Sequence, residues 1–168
     1  METITHNLTA VLIQITCFKF FSFPLNFILT MIFAFFSHFV SDALSKITYH
    51  TPEPHREDKF WMSWHIVLLS LSILSVIIFI IPFWLGIIVV NLPDIIDWLI
   101  LRPINNRKDK ENSGLKWRKS YLFHPIANWI RKYVFFWLPD WTYKKASISI
   151  EISIIIILSI FIFFIYWA

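Results

Sequence analysis

The sequence contains few of the residues that soluble proteins place at their surfaces and turns. Only 15% of its 168 residues are charged, and it has two glycines and one cysteine. Because Cys17 has no second cysteine, an internal disulfide and a cysteine-based zinc or iron–sulfur site are excluded. By contrast, 57% of the residues are hydrophobic, including 18 phenylalanines. This composition predicts a polytopic membrane protein.

Long apolar runs predict an all-α membrane bundle with about five transmembrane or membrane-embedded helices. A helix needs roughly 20 apolar residues to cross a bilayer core. Three such spans are clear, at about residues 62–81, 83–101 and 146–167. The apolar run from Leu8 to Val40 is too long for one span and is interrupted by Lys19 and Pro24, so we interpret it as two helices, about 7–21 and 25–44. The first is short, and a re-entrant or interfacial placement also fits it. Residues 1–168 are predicted to form a single integral membrane domain.

Basic residues are unevenly distributed between the two predicted membrane faces. Five helices place the N-terminus, residues 45–60 and residues 102–146 at one face, and the C-terminus at the other. All lysines and arginines except Lys19 belong to the first face. The positive-inside rule therefore predicts a multi-pass protein of the cell membrane whose N-terminus is cytoplasmic and whose C-terminus lies on the opposite side.

The segment 121–138 interleaves basic and aromatic residues with isoleucine and valine. This pattern predicts an amphipathic helix that lies along the cytoplasmic surface and contacts membrane lipid, with a preference for anionic headgroups. The same residue types can bind nucleic acid, but the topology already explains a pI near 9.3. We therefore predict no nucleic-acid partner.

Aspartates and histidines gather at the same predicted membrane face. His38 and Asp42 share one side of the second helix, and Asp94 and Asp97 share one side of the fourth, because they are four and three residues apart. His6 begins the first helix. A carboxylate within a membrane costs about 2.5–3.5 kcal/mol on insertion scales and usually faces a partner inside the bundle. A divalent cation would neutralise the three aspartates together, and imidazole with carboxylate favours Zn²⁺, with Mn²⁺ or Fe²⁺ as alternatives.

Each of these residues also has a simpler interpretation. A hydrogen bond within the second helix explains its histidine and aspartate as well as a metal does, and hydration at the interface explains the aspartates of the fourth helix. His65 fits an interfacial histidine, and His124 fits the end of a turn before Pro125. His50 and His55 fit solvated loop residues. The placement of every histidine at one face favours the metal site over these separate explanations.

Three short motifs resemble the YdjM-like family of membrane-bound metal-dependent hydrolases. "ITHNLTAVLI" (4–13) is similar to the family's opening TH and apolar helix, "SHFVSDAL" (37–44) to its HxxxD helix end, and "NLPDIID" (91–97) to its LPDxD signature. The resemblance implies a metal site at His6, His38, Asp42, Asp94 and Asp97. The chain departs from the family by lacking a glycine soon after His6 and by having Trp98 where a histidine is expected.

These residues and the resemblance predict metal-dependent hydrolysis of a lipid-linked ester or phosphoester at the cytoplasmic face. A bound cation would activate water and polarise a substrate oxygen, while His124 or His65 would act as general acid or base. The alternatives are a non-catalytic metal-stabilised membrane scaffold and an ion-coupled transporter, although no internal repeat supports a transporter. A CDP-alcohol phosphotransferase is not favoured, because its glycine-punctuated aspartates are missing. A serine hydrolase is not favoured either, because no nucleophile-elbow motif is present.

Overall fold

The computed structural model describes residues 2–49, 57–104 and 121–167. In these ranges the chain is helical, without strands, which confirms the all-α prediction. The six α-helices are α1 (Thr3–Phe20), α2 (Leu25–Leu44), α3 (Lys59–Phe79), α4 (Trp84–Asp94), α5 (His124–Tyr133) and α6 (Ile148–Trp167). A 3₁₀ turn follows α2 at Ser45–Ile47, another precedes α6 at Lys145–Ser147, and α4 continues as a π-helix over Ile95–Leu101.

Four helical segments are long and apolar enough to cross a membrane. They are Leu25–Ile47, Lys59–Phe79, Trp84–Ile104 and Lys145–Trp167. The remaining long helix, α1, carries the polar residues Asn7 and Gln14 and packs against α2, α3, α4 and α6. The predicted bundle is therefore observed as four candidate spans that surround a shorter central helix.

The direction of α6 follows from its contacts at both ends of α1. Near the start of α1, the Thr5 hydroxyl donates a hydrogen bond to the buried Glu151 carboxylate (2.7 Å). Near its end, the Lys19 ammonium donates to the Ile165 carbonyl (3.2 Å). The N-terminal part of α1 thus contacts the N-terminal part of α6, and the C-terminal parts contact each other. The two helices therefore run parallel.

Buried amide side chains connect α1 to α3 and α4. The Asn7 amide donates to Ser75 Oγ (2.8 Å) and accepts from the Asn91 amide (2.7 Å). About two turns further along α1, Gln14 Oε1 accepts from the Gly86 backbone N–H (2.8 Å). Since Asn7 pairs with a later residue of α4 than Gln14 does, α1 and α4 run antiparallel. Polar groups in an apolar bundle need such internal partners, so these bonds fix the register of the three helices.

Small residues let α1, α2 and α4 approach closely. Ala10, Ala34 and Val90 form a fully buried cluster between the three helices. His6 stacks on His38, which follows Ala34 by one turn, so α2 also runs antiparallel to α1. The start of α1 and the ends of α2 and α4 consequently lie together, at what we call the polar end of the bundle. This agrees with the hairpin arrangement expected from hydropathy.

The predicted interfacial segment 121–138 contains one regular helix, α5, which packs against the end of α2. Pro125 lies in its first turn, where a missing backbone N–H does no harm. The Arg131 guanidinium Nη2 donates to the Asp42 carbonyl (2.8 Å) and to Ser45 Oγ (2.7 Å). Trp129 and Tyr133 are exposed. The helix is shorter than predicted, and its inner side is attached to the polar end.

We expect Gly86→Ala to destabilise the bundle. A Cβ at this position would lie 2.8 Å from the Ala10 carbonyl oxygen and 3.2 Å from Gln14 Oε1. Helix propensity alone favours alanine by about 1 kcal/mol, whereas overpacking costs about 1–3 kcal/mol. The net expectation is a loss of up to about 2 kcal/mol in the free energy of unfolding, measured by denaturation in detergent micelles. Ile88→Val, at an exposed position of the same helix, is the control. A Gly86→Ala protein of increased stability would contradict the close approach of α1 and α4.

Candidate metal centre

Two buried histidines and one aspartate form the innermost part of the polar end. The His6 and His38 rings stack with their centroids 4.5 Å apart, and each residue is 1% exposed. Asp42 Oδ1 lies 3.1 Å from His6 Nε2, and Asp42 Oδ2 lies 3.4 Å from His38 Nε2. The contact within α2 exists, as the simpler interpretation expects, but the carboxylate is shared with a histidine from a different helix.

Asp94 connects this group to α5. Its Oδ1 atom lies 3.7 Å from His38 Nε2 and 3.7 Å from His124 Nε2. Side chains from α1, α2, α4 and α5 therefore form a continuous chain of imidazoles and carboxylates, which we call the His–Asp cluster. Its members are His6, Asp42, His38, Asp94 and His124.

Pro93 lies next to the change from α-helix to π-helix in the fourth helix. Proline has no backbone N–H and disfavours regular hydrogen bonding in a helix interior. The helix widens directly after it, over Ile95–Leu101, and single π turns of this kind are frequent at functional sites. Asp94 and Asp97 flank this transition, and they have different partners in the structure.

Asp97 holds the beginning of α5 in place. It is 0% exposed, and its two oxygens accept from the backbone N–H groups of Leu122, Phe123 and His124, each at 2.9 Å. Asp97 Oδ2 also lies 2.8 Å from His124 Nδ1. A carboxylate at the start of a helix satisfies backbone donors and is stabilised by the helix dipole. Asp97, predicted as a metal ligand, is thus placed behind His124 and already has four donors.

The orientation of His124 follows from Asp97. If the ring proton is on Nδ1, facing the carboxylate, Nε2 presents a lone pair towards Asp94. The Trp98 indole N–H donates to this Nε2 atom at 3.0 Å. A histidine held by a carboxylate in this way is the usual arrangement of a metal ligand and also of a proton-transfer group.

The donor atoms of the cluster lie close enough together to surround a metal ion. Zinc–nitrogen and zinc–oxygen bonds of about 2.0–2.2 Å at a tetrahedral ion place neighbouring donors about 3.3–3.6 Å apart. The contacts that link the cluster range from 3.1 to 3.7 Å. Two groups of donors could hold an ion, the first consisting of His6, His38 and Asp94, and the second of Asp42, Asp94 and His124. The predicted ligands other than Asp97 are therefore brought together, and His124 joins them.

A cavity of about 490 Å³ opens beside the cluster. Asp42, Asp94 and His124 line it from one side, and Arg131 and Asp140 are also among its lining residues. The Thr142 hydroxyl donates to Asp140 (2.6 Å) and lowers the pKa of this carboxyl below its usual value, with further lowering from nearby basic residues. The cavity gives the cluster an approach from outside the bundle.

The other histidines are not part of the cluster as described. His65 Nδ1 lies 2.8 Å from the Trp61 carbonyl oxygen, and its ring stacks on the Trp61 ring at 4.0 Å. The general acid or base role of His65 gains no support from this placement and stays a prediction. His50 and His55 lie outside the described residues.

Arg131 is a residue of the site that sequence reasoning missed. It follows His124 by seven residues, or about two turns, so both side chains lie on one side of α5. This spacing could have identified Arg131 from the sequence as a neighbour of His124. By contrast, the indole contact of Trp98 with His124 depends on tertiary packing, for which the local sequence has no pattern.

The comparisons with known proteins add no family. No protein-family model matches the chain, and searches of curated proteins and of solved structures found no significant match. The resemblance to the YdjM-like family rests on its three motifs and stays a prediction. The structure supports a membrane bundle with a His–Asp cluster whose geometry could hold a metal ion.

We expect Asp97→Asn to weaken the attachment of α5 to the bundle. An asparagine would place its own N–H₂ group against backbone N–H donors, which would then have no acceptor. Each buried donor left unsatisfied costs about 1–3 kcal/mol. The expected result is a markedly lower unfolding free energy in detergent, together with increased proteolysis at α5. Asp58→Asn is the matched control, because Asp58 is only partly covered and asparagine also caps helices well. Equal stability of the two variants would contradict the role assigned to Asp97.

Proposed function

We propose that the protein binds a divalent cation at the His–Asp cluster and uses it to hydrolyse a lipid-linked ester or phosphoester at the cytoplasmic membrane face. The observation that carries this proposal is the convergence of His6, His38, Asp42 and Asp94 from three helices beside a cavity. A cation explains their meeting, because it offsets the charge of both carboxylates in an apolar bundle.

The ligand set fits zinc first, with manganese or iron(II) as alternatives. A cation held by these residues would supply a more acidic bound water and would polarise the oxygen of the scissile bond. Asp42 and Asp94 are both cluster members and cavity residues, so the metal would be open to the cavity. His124 faces the same cavity with Asp97 behind it, in a position that suits the predicted transfer of protons.

An apolar groove beside the cavity supports a lipid-linked substrate. The groove, of about 600 Å³, is lined by Phe33, Phe36 and Val40 of α2 and by Ile154 and Leu158 of α6, among other residues. These are residues of the candidate membrane spans, and a hydrocarbon chain is the ligand that such a lining favours.

The groove and the cavity approach each other at the last turn of α2. Ser41 and Leu44 line the groove, while their neighbours Asp42 and Ser45 line the cavity. An acyl or prenyl chain lying in the groove would therefore have its headgroup within reach of the metal. The basic and aromatic residues of α5, with exposed Trp129 and Lys132, suit the surrounding lipid headgroups.

The second candidate is a non-catalytic scaffold in which the metal only stabilises the bundle. The observation that favours it is the burial of His6 and His38, since structural metal sites are closed to water. An ion-coupled transporter is less favoured. The cavity described at the other end of the bundle is lined mainly by apolar residues such as Phe79, Phe83 and Ile162 and offers no continuous polar path.

Metal-dependent hydrolysis is testable with purified protein in detergent–lipid micelles and fluorogenic lipid esters and phosphodiesters. We expect turnover that chelation removes and Zn²⁺ or Mn²⁺ restores. Asp94→Asn and His38→Ala are each expected to lower the rate by at least about 100-fold, because each removes a ligand of the ion. Asp58→Asn, a carboxylate outside the cluster, is the control for expression and detergent effects. Unchanged turnover in Asp94→Asn or His38→Ala would refute the proposal, and metal binding without any turnover would support the scaffold.

A further inference from the structure

We infer that the His–Asp cluster holds two divalent cations rather than one, with His124 as a ligand of the second. This inference rests on the proposed metal binding and deepens it. It replaces the proton-transfer role of His124 by coordination. The first cation would be held by His6 and His38 and the second by His124, with Asp42 and Asp94 between them.

The grouping of the donor atoms points to two centres. His6, His38 and Asp94 offer atoms that all lie within 4.8 Å of one another, and so do Asp42, Asp94 and His124. Asp94 belongs to both groups. Asp42 belongs to the second group, yet its two oxygens lie 3.1 and 3.4 Å from the imidazoles of the first. Two carboxylates are thus placed where bridging ligands of a metal pair would be.

The number of donors also exceeds what one zinc ion uses. Zinc sites in proteins take three or four protein ligands, whereas five side chains form the cluster. Two ions about 3.5–4 Å apart that share carboxylates are a recurring arrangement in hydrolytic enzymes. Such a pair, held by these residues, would stabilise both the attacking and the leaving oxygen of a substrate.

The charges around the cavity favour a second cation. Its described lining includes the carboxylates Glu2, Asp42, Asp94 and Asp140, while Arg131 is the one lysine or arginine among these residues. Asp94 and His124 lie on this wall, and a second ion beside them would offset part of its carboxylate charge.

The two positions have different chemistry. The first is rich in imidazole and buried, which suits Zn²⁺. The second is richer in carboxylate and more open, since the side chains of His124 and Asp94 are 24% and 32% exposed. A harder ion such as Mn²⁺ suits this second position, with water or substrate completing its coordination. The ion nearer the cavity is therefore expected to bind more weakly and exchange faster.

Trp98 provides a specific signature of the second position. Its indole N–H donates to His124 Nε2, the atom that would coordinate the second ion. Metal binding must break this hydrogen bond. Removing the indole donor by Trp98→Phe should consequently increase the affinity for the second ion by about 2- to 13-fold. This is the range expected for the loss of one competing hydrogen bond. The first ion should be unaffected.

The test measures metal stoichiometry of the full-length protein in detergent micelles. Protein stripped with a chelator is dialysed against Zn²⁺ or Mn²⁺, and bound metal is determined by mass spectrometry. We expect two ions per chain in the wild type, one in His124→Ala and two in the control His65→Ala. The Mn²⁺ form should also show the electron paramagnetic resonance spectrum of a coupled pair, and Trp98→Phe should bind its second Mn²⁺ more tightly.

The outcomes separate this inference from the proposed function. One ion per chain in the wild type, without a coupled Mn²⁺ spectrum, overturns the pair and leaves a single-metal hydrolase intact. No bound ion in the wild type overturns both. If His124→Ala does not fold, the stoichiometry of the wild type and the Mn²⁺ affinity of Trp98→Phe still decide between one and two bound ions. Weaker binding of the second ion by Trp98→Phe would also contradict the assignment of His124 Nε2 as its ligand.

Discussion

The enclosure of α1 by the apolar helices is the constraint on which the rest of the structure depends. This helix carries His6, Asn7 and Gln14, and no hydrocarbon environment tolerates such groups without internal partners. Asn7 bonds to α3 and α4, Gln14 bonds to the α4 backbone, and His6 contacts Asp42 of α2. One set of polar residues therefore fixes the register of the bundle and places the first histidine of the site. Structural hydrogen bonds and candidate ligands thus lie on the same helix, where Asn7 directly follows His6 and Gln14 lies about two turns further along.

The position of α5 depends on a second set of contacts, made by Asp97 and Arg131. The amphipathic helix α5 is too short and too polar to be a span, so its position depends on side-chain contacts. Asp97 binds its first backbone N–H groups, and Arg131 reaches the end of α2. These contacts form part of the cavity wall and turn His124 towards Asp94. One accessible member of the cluster, His124, is thus supplied by a helix that is not among the candidate membrane spans.

Hydropathy and spacing were sufficient for the helices and for most of the cluster. The apolar runs predicted the spans, and the interruption near Pro24 predicted the hairpin of the first two helices. The spacing of His38 and Asp42 placed both on one face, where the structure has them. The placement of α1 was harder to predict from the sequence. Its polar residues are explained by hydrogen-bond partners on other helices, which hydropathy does not show.

The remaining features depend on tertiary structure. In a regular helix, Asp94 and Asp97 would lie on the same side. In the structure, a π-helix follows Pro93, and the two aspartates contact different residues. His124 could not be distinguished from a turn residue, because its partners Trp98 and Asp97 lie 26 and 27 residues away in sequence. Hydropathy also cannot show which carboxylate faces a metal and which one supports a ligand. That distinction follows from hydrogen bonds between segments distant in the chain.

The central claim is that the cluster binds metal through imidazole and carboxylate groups from different helices. X-ray absorption spectroscopy of the purified zinc-loaded protein tests this most directly. The account predicts nitrogen and oxygen ligands at about 2.0–2.2 Å, with imidazole scattering that decreases in His6→Ala and in His38→Ala. A spectrum with a sulfur ligand from Cys17, or one that neither histidine substitution changes, would contradict it.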